Sequence, residues 1–251
     1  MNPFFDQVKS ALEQRQRQNR WLNVFLRDDD IDEDEVSLRA LLQICLRHNT
    51  PINLAVIPGR LTSAAASLLN DSLQQAPRLI ELNQHGWLHV NHEREGKKCE
   101  FGASRNFAEQ LADIAAGQAR MNDAFGQNWF PVFVPPWNRC NATTATALVE
   151  LGFRVLSREH SQPAFGGRQF AELPVTLDLY RWRGGVELRS PEEIATELSR
   201  QISESDRIGI MLHHKVMNDA AFDLLNELLQ LFTRFPIVQR HTFQSLLKLT
   251  H

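Results

Sequence analysis

Seven of the eight residues from Asp28 to Glu35, in the stretch "LRDDDIDEDE", are acidic. Gathering like charges this densely costs free energy unless something positive sits among them, so the stretch is either a solvated loop or one half of a cation site. Asp28, Asp30, Asp32 and Asp34 alternate as calcium-loop ligands do, but the rest of that pattern fails. Counting from Asp28, the sixth position holds Glu33 where Gly is needed and the twelfth holds Arg39 where Glu is needed. Asp32 to Glu35 read as solvated charges at the start of a helix, favoured by its dipole. Arg27 offsets part of the repulsion among Asp28, Asp29 and Asp30.

A second group of candidates lies in "QHGWLHVNH", where His85 and His89 are four apart. Metalloproteases use that spacing on a helix, but the glutamate they need after the first His is Gly86 here. Gly86 instead suggests a turn that aims both imidazoles one way, giving two nitrogen ligands that suit zinc or a similar ion once a carboxylate joins them. "VPPWNR" places Trp137, Asn138 and Arg139 after two prolines, and "LHH" places His213 and His214 after an apolar run. Each has a plainer reading: Trp137 as packing, the two histidines as hydrogen-bonded core residues, and the charges of 92–102 as a solvated loop.

Short apolar runs, "WLNVFL", "INLAVI", "LIEL", "FPVFV", "FRVL", "ELPVTL" and "RIGIML", alternate with helical patterns at 36–48, 62–75, 104–125, 141–151, 191–204, 219–233 and 242–249. Strand then helix, repeated, is the signature of a parallel sheet wrapped by helices. Seven or eight units predict one α/β domain over 1–251, a closed or nearly closed (β/α) barrel, with a helix over 1–20 docked by Phe4, Phe5, Val8 and Leu12. In such barrels the working residues sit where strands end, which is where the acids and histidines fall. The irregular 157–190 region is expected to form loops over one end.

A net charge of −3 gives no reason to expect nucleic acid as a partner. Cys45, Cys99 and Cys140 are odd in number and far apart, which fits a reducing compartment rather than a disulfide framework. No run of 18 apolar residues and no signal-peptide core is present, so a cytoplasmic location is expected. Oligomeric state is left open.

In this order, "RDDD", "HGWLH", "VPPWNR" and "LHH" resemble the motifs of the polysaccharide deacetylase superfamily, over about residues 20–215. The likeness is closest to a divergent bacterial branch carrying "RDDD", "HGWxHxNH", "PPWNR" and a late "HH". It implies a distorted (β/α)7–8 barrel that removes N- or O-acetyl groups from sugars with one divalent metal ion, zinc first and cobalt, nickel, manganese or iron as alternatives. Against the usual Thr-Phe-Asp-Asp-Gly motif, Arg27 and Asp28 replace Thr and Phe, Asp29 becomes the base and Asp30 the metal ligand; a shift to Asp28 and Asp29 stays open. His85 and His89 match the two histidine ligands. The third motif usually begins with an Arg that orients the base, and Val134 stands there, so Arg139 is expected to take over that charge. Asp178 and Trp182 match the fourth motif, and His213 the acid, with His214 its rival. Asp28, His92, Trp137, Asn138, Asp178 and His214 are expected at the substrate, and the likeness to this branch implies that His92, Lys98 or Glu100 lines the substrate mouth. The resemblance therefore implies a metal-dependent hydrolase of non-peptide C–N bonds acting on a saccharide, an envelope-polysaccharide precursor given the expected location. The competing readings are a non-catalytic carbohydrate-binding or scaffold barrel and a hydrolase of a non-sugar amide.

Overall fold

A computed structural model describes residues 5–167 and 169–249, so Phe4 lies outside the described residues. Helix α1 (Phe5–Arg17) buries Phe5, Val8 and Leu12. The chain then alternates as β1 (Leu22–Ile31), α2 (Val36–Arg47), β2 (Ile52–Val56), α3 (Ser63–Gln75), β3 (Ile80–His85), α4 (Phe107–Phe125), β4 (Val132–Val134), α5 (Ala142–Glu150) and β5 (Val155–Leu156). Four short strands follow, β6 (Ala171–Glu172), β7 (Leu177–Asp178), β8 (Tyr180–Arg181) and β9 (Glu187–Leu188). The chain closes with α6 (Pro191–Glu204), β10 (Arg207–Leu212), α7 (Asp219–Thr233), β11 (Val238–His241) and α8 (Phe243–Leu247). Helix starts are set by local chemistry: Asn106, Asn141 and Ser190 each form a reciprocal capping box, and Pro191 occupies the first turn of α6.

The sheet runs β6-β5-β4-β3-β2-β1-β10-β7, and β11 adds to β1. Every pair in it is parallel. Parallel strands must be covered on both faces, and here the two faces have different covers. Val24, Leu26, Ile52 and Leu54 pack into the core shared with the helices. Phe25, between Val24 and Leu26, points the other way and meets Phe243 of α8 with ring centroids 4.9 Å apart. The short α8 thus plugs the interior of the curled sheet at the end where strands begin. Gly209 of β10 makes room for this, because a Cβ there would lie 2.2 Å from the Phe25 ring.

The barrel is open: β6 and β7 form its edges and are not paired with each other. The strands from β5 to β9 are two residues long, too short to build a closing ladder. The acidic run also differs from its expected place. Asp28 to Asp30 lie inside β1 rather than after it, because β10 pairs with β1 as far as Asp28 and β2 pairs with Ile31. Asp32 is buried rather than solvated, held by ion pairs to Arg60 and Lys215.

A candidate metal centre in the cleft at the strand ends

Side chains on a strand alternate, so Arg27 and Asp29 share one face of β1 and Asp28 takes the other. After Asp28 the register against β2 shifts by a bulge, and Asp30 adopts φ 71, a left-handed conformation that Asp tolerates better than most residues. The bulge re-aims Asp30 towards β3. There its Oδ1 lies 3.1 Å from Nε2 of both His85 and His89. One ligand atom from each of Asp30, His85 and His89 falls within 4.8 Å of the others.

Left-handed backbone is concentrated here. Of six described non-glycine residues with positive φ, Asp30, His89, Trp137 and Asn138 belong to this cleft. Strain of this kind persists only where the surroundings over-determine it. The turn between the histidines shows how. Gly86, at φ 58, packs where a Cβ would meet the Glu100 carboxylate at 2.2 Å and the Pro136 ring at 2.6 Å. Glu100 is fully buried and accepts hydrogen bonds from the backbone N–H groups of Trp87 (3.3 Å) and Leu88 (2.7 Å). It is therefore a buckle under the turn rather than part of a substrate mouth.

The donor set fits a cation. His85 Nδ1 lies 3.0 Å from the Val134 carbonyl oxygen, which only accepts, so Nδ1 carries the proton. In the neutral ring Nε2 then turns a lone pair towards the Asp30 carboxylate. Two lone pairs facing across 3.1 Å need a positive charge between them, a ring proton or a divalent ion. Burial opposes ionisation of Asp30, yet the hydrogen bonds and charge of the two imidazoles outweigh it and hold its carboxyl far below the usual range.

Asp29 is gripped by Arg27. The guanidinium donates in a fork, Nε to Oδ1 and Nη2 to Oδ2, both at 2.8 Å. Its other N–H groups go to the Ser157 carbonyl (3.1 Å), the Ser157 hydroxyl (3.0 Å) and Asn138 Oδ1 (2.7 Å). Arg27 is fully buried and Asp29 nearly so. This corrects the expectation for Arg139, whose Nη1 instead donates to the Lys98 carbonyl at 3.0 Å. The signal was available: Arg27 and Asp29, two apart on one strand, must share a face.

A cleft of about 580 Å³ brings together Asp29, Asp30, His85, His89, Trp137, Asn138, Arg139, Asp178, Trp182 and His213. Trp137 stands beside His89, with ring centroids 4.3 Å apart. On the far side the Trp182 indole donates to Asp178 (2.7 Å) and meets His213 edge-on at 4.6 Å. His213 lines the cleft, and its Nδ1 is buried without a hydrogen-bond partner. Burial pushes the Asp178 carboxyl up, against the pull of His213, the Tyr180 N–H and the Trp182 indole.

Three expected substrate contacts lie elsewhere. Asp28 and His214 are fully buried against each other, His214 Nδ1 lying 2.6 Å from Asp28 and its backbone N–H donating at 2.8 Å. They occupy the opposite face of β1, so neither reaches the cleft. His92 is exposed and outside the cleft lining, its N–H bonded to the Cys99 carbonyl.

No family model matches the sequence, and no curated protein matches it. Solved structures do. A family 4 acetyl xylan esterase from Clostridium thermocellum in complex with a cobalt ion superposes with a TM-score of 0.60 at 17% identity, covering 90% of this chain and 91% of that one. A peptidoglycan deacetylase from Bacillus subtilis gives 0.57 at 14% identity over 92% of each chain. A family 4 carbohydrate esterase from Bacillus anthracis gives 0.56 at 12% identity, over 96% of this chain and 91% of that one. At these identities the likeness shows the fold, that of the family 4 carbohydrate esterases and polysaccharide deacetylases.

Proposed function

We propose that this protein is a metal-dependent hydrolase that removes acetyl groups from a saccharide, with Asp30, His85 and His89 as ligands of one divalent ion. The observation that carries it is the pair of imidazole Nε2 atoms meeting one Asp30 oxygen, inside a cleft where the neighbouring Asp29 is a separately held carboxylate. The fold shared with an acetyl xylan esterase in complex with cobalt and with a peptidoglycan deacetylase supports the same reading. Zinc is the first choice of ion; cobalt, nickel, manganese and iron also suit two nitrogens and one oxygen. Bound there, the ion supplies Lewis acidity, polarising an acetyl carbonyl and making water easier to deprotonate.

The chain's own residues supply the rest. Asp29 takes the proton of the attacking water, and the Arg27 fork keeps its carboxylate from turning towards the imidazoles. The bond from the acetyl carbon to nitrogen or oxygen breaks, acetate leaves with the water oxygen, and His213 Nε2 gives a proton to the departing amine or alkoxide. Trp182 and Asp178 hold the His213 wall. Trp137 supplies a flat apolar surface against the acetyl methyl.

Val134 in place of the expected arginine would suit a non-catalytic barrel if it left the base unheld, but Arg27 meets the base with a bidentate fork from β1. The test is acetate release from acetylated xylan, chitin oligomers and N-acetylglucosamine by metal-loaded protein. Asp29→Asn is expected to lose at least about 10²-fold in kcat while still binding metal. Turnover unchanged in Asp29→Asn contradicts the assignment, and turnover only of small non-sugar amides replaces the saccharide with another substrate.

A further inference from the structure

The charges lining the cleft are unevenly matched. Asp29 has Arg27, Asp30 has two imidazoles, Glu197 has Arg200, and Arg181 has Glu193. Arg189 donates to the Asp178 carbonyl and feels the charges of Glu193 and Glu197, so the Trp182 wall is balanced. Among the lining acids, Glu159 is exposed and forms no ion pair among the described residues, and Asp178 is held by neutral donors.

The Trp137 wall differs. Arg139 lines the cleft with one N–H tied to the Lys98 carbonyl, and Lys98 Nζ stands 6.0 Å from the Trp137 ring centroid. Neither cation forms an ion pair with a carboxylate among the described residues. The Trp137 indole is itself packed on the ring of His89. A guanidinium in the cleft lining and an exposed ammonium over the indole next to the proposed metal ligands make a place for negative charge on a substrate whose acetyl group is at the metal.

Resting on the hydrolase reading above, we propose that the saccharide carries an anionic group, a phosphate or a carboxylate, that docks on Lys98 and Arg139. Guanidinium and ammonium groups form charge-assisted hydrogen bonds to such oxygens, and the guanidinium matches a planar or tetrahedral oxyanion two atoms at a time. A neutral sugar would use Trp137 but leave both cations without partners.

The test is calorimetric binding to zinc-loaded protein in the Asp29→Asn background, which separates binding from turnover. The probes are N-acetylglucosamine, N-acetylglucosamine 1-phosphate, N-acetylglucosamine 6-phosphate and N-acetylmuramic acid. At low salt at least one anionic sugar is expected to bind about tenfold or more tightly than the neutral one. That preference should shrink as salt is raised. Lys98→Ala/Arg139→Ala should bring the two Kd values within about twofold, and Lys98→Glu/Arg139→Glu should reverse their order. Whether the phosphates or the carboxylate gain the preference identifies the anion. Equal affinities, no binding of any anionic probe, or a preference retained in the double alanine variant overturns the proposal. Acetate release by the Asp29-containing protein is scored separately, so failure of the hydrolase reading is not mistaken for failure of the anion site.

Discussion

Arg27 is the residue on which the proposed chemistry and the local stability both lean. Removing one partner of a buried ion pair leaves an uncompensated charge, so Arg27→Ala is expected to unfold the site and says little about mechanism. Arg27→Lys keeps the charge but not the fork: kcat should fall about 10²-fold with KM changed less than about threefold, measured on whichever acetylated sugar is turned over. A matching loss in KM, or none in kcat, contradicts a positioning role. Glu100 gives a second test. Glu100→Ala orphans the Trp87 and Leu88 N–H groups and should weaken zinc binding by about tenfold or more in competition with a chromophoric chelator, with Glu100→Gln weakening it less. Unchanged affinity in both would separate the turn from the metal. His85 and His89 were legible as a pair of nitrogen donors wanting a carboxylate, and the likeness to the deacetylase motifs offered Asp30 for it as one of two registers. Glu100 was not, because a lone glutamate in "KKCEFG" carries no sign that backbone donors will bury it.

At the scale of elements, β1 and the turn after β3 place the candidate ligands, and both do so through unusual backbone. The bulge beyond Asp28 and the left-handed Asp30 make the third acid, rather than the second, face the imidazoles. A sequence has no marker for a bulge inside an acidic run, which is why both registers stayed open. Long periodic elements such as α4 and α7 were legible from their apolar spacing. Among the two-residue strands, β5 fell within "FRVL", but "ELPVTL" joins the ends of β6 and β7 rather than forming one strand, and β8 and β9 fell in the region expected to be loops, since neither period has room to show. The plug formed by α8 yields a packing test. Gly209→Ala would press a methyl into the Phe25 ring, so a loss of about 1–3 kcal/mol is expected in chemical denaturation, with zinc affinity unchanged. A neutral effect on stability would mean that Phe25 and Phe243 can yield without cost.

The whole molecule is a parallel half-barrel with chemistry at one end and a buried carboxylate near the other. No helix among the described residues is long and apolar enough to cross a membrane. Burial pushes Glu81 up to about 6 despite hydrogen bonds from Gln244 and Asn83. Its folded form therefore keeps a proton that the unfolded chain releases from about 4.5 upwards, so stability is full below 4.5 and declines as pH rises through 6. Relative to the wild type, Glu81→Gln should gain about 2 kcal/mol between pH 4 and pH 7.5, followed by thermal denaturation. A difference that does not vary with pH contradicts that origin. The most direct test of the metal hydrolase itself is a zinc titration of chelator-stripped protein, with acetate release from the acetyl-saccharide panel followed at each addition. Activity is expected to rise linearly and break at one zinc per chain, and to stay at background in His85→Ala and Asp30→Ala at the same zinc. Activity that is already full in the stripped protein, that persists in those variants, or that never appears on any acetylated saccharide would contradict it.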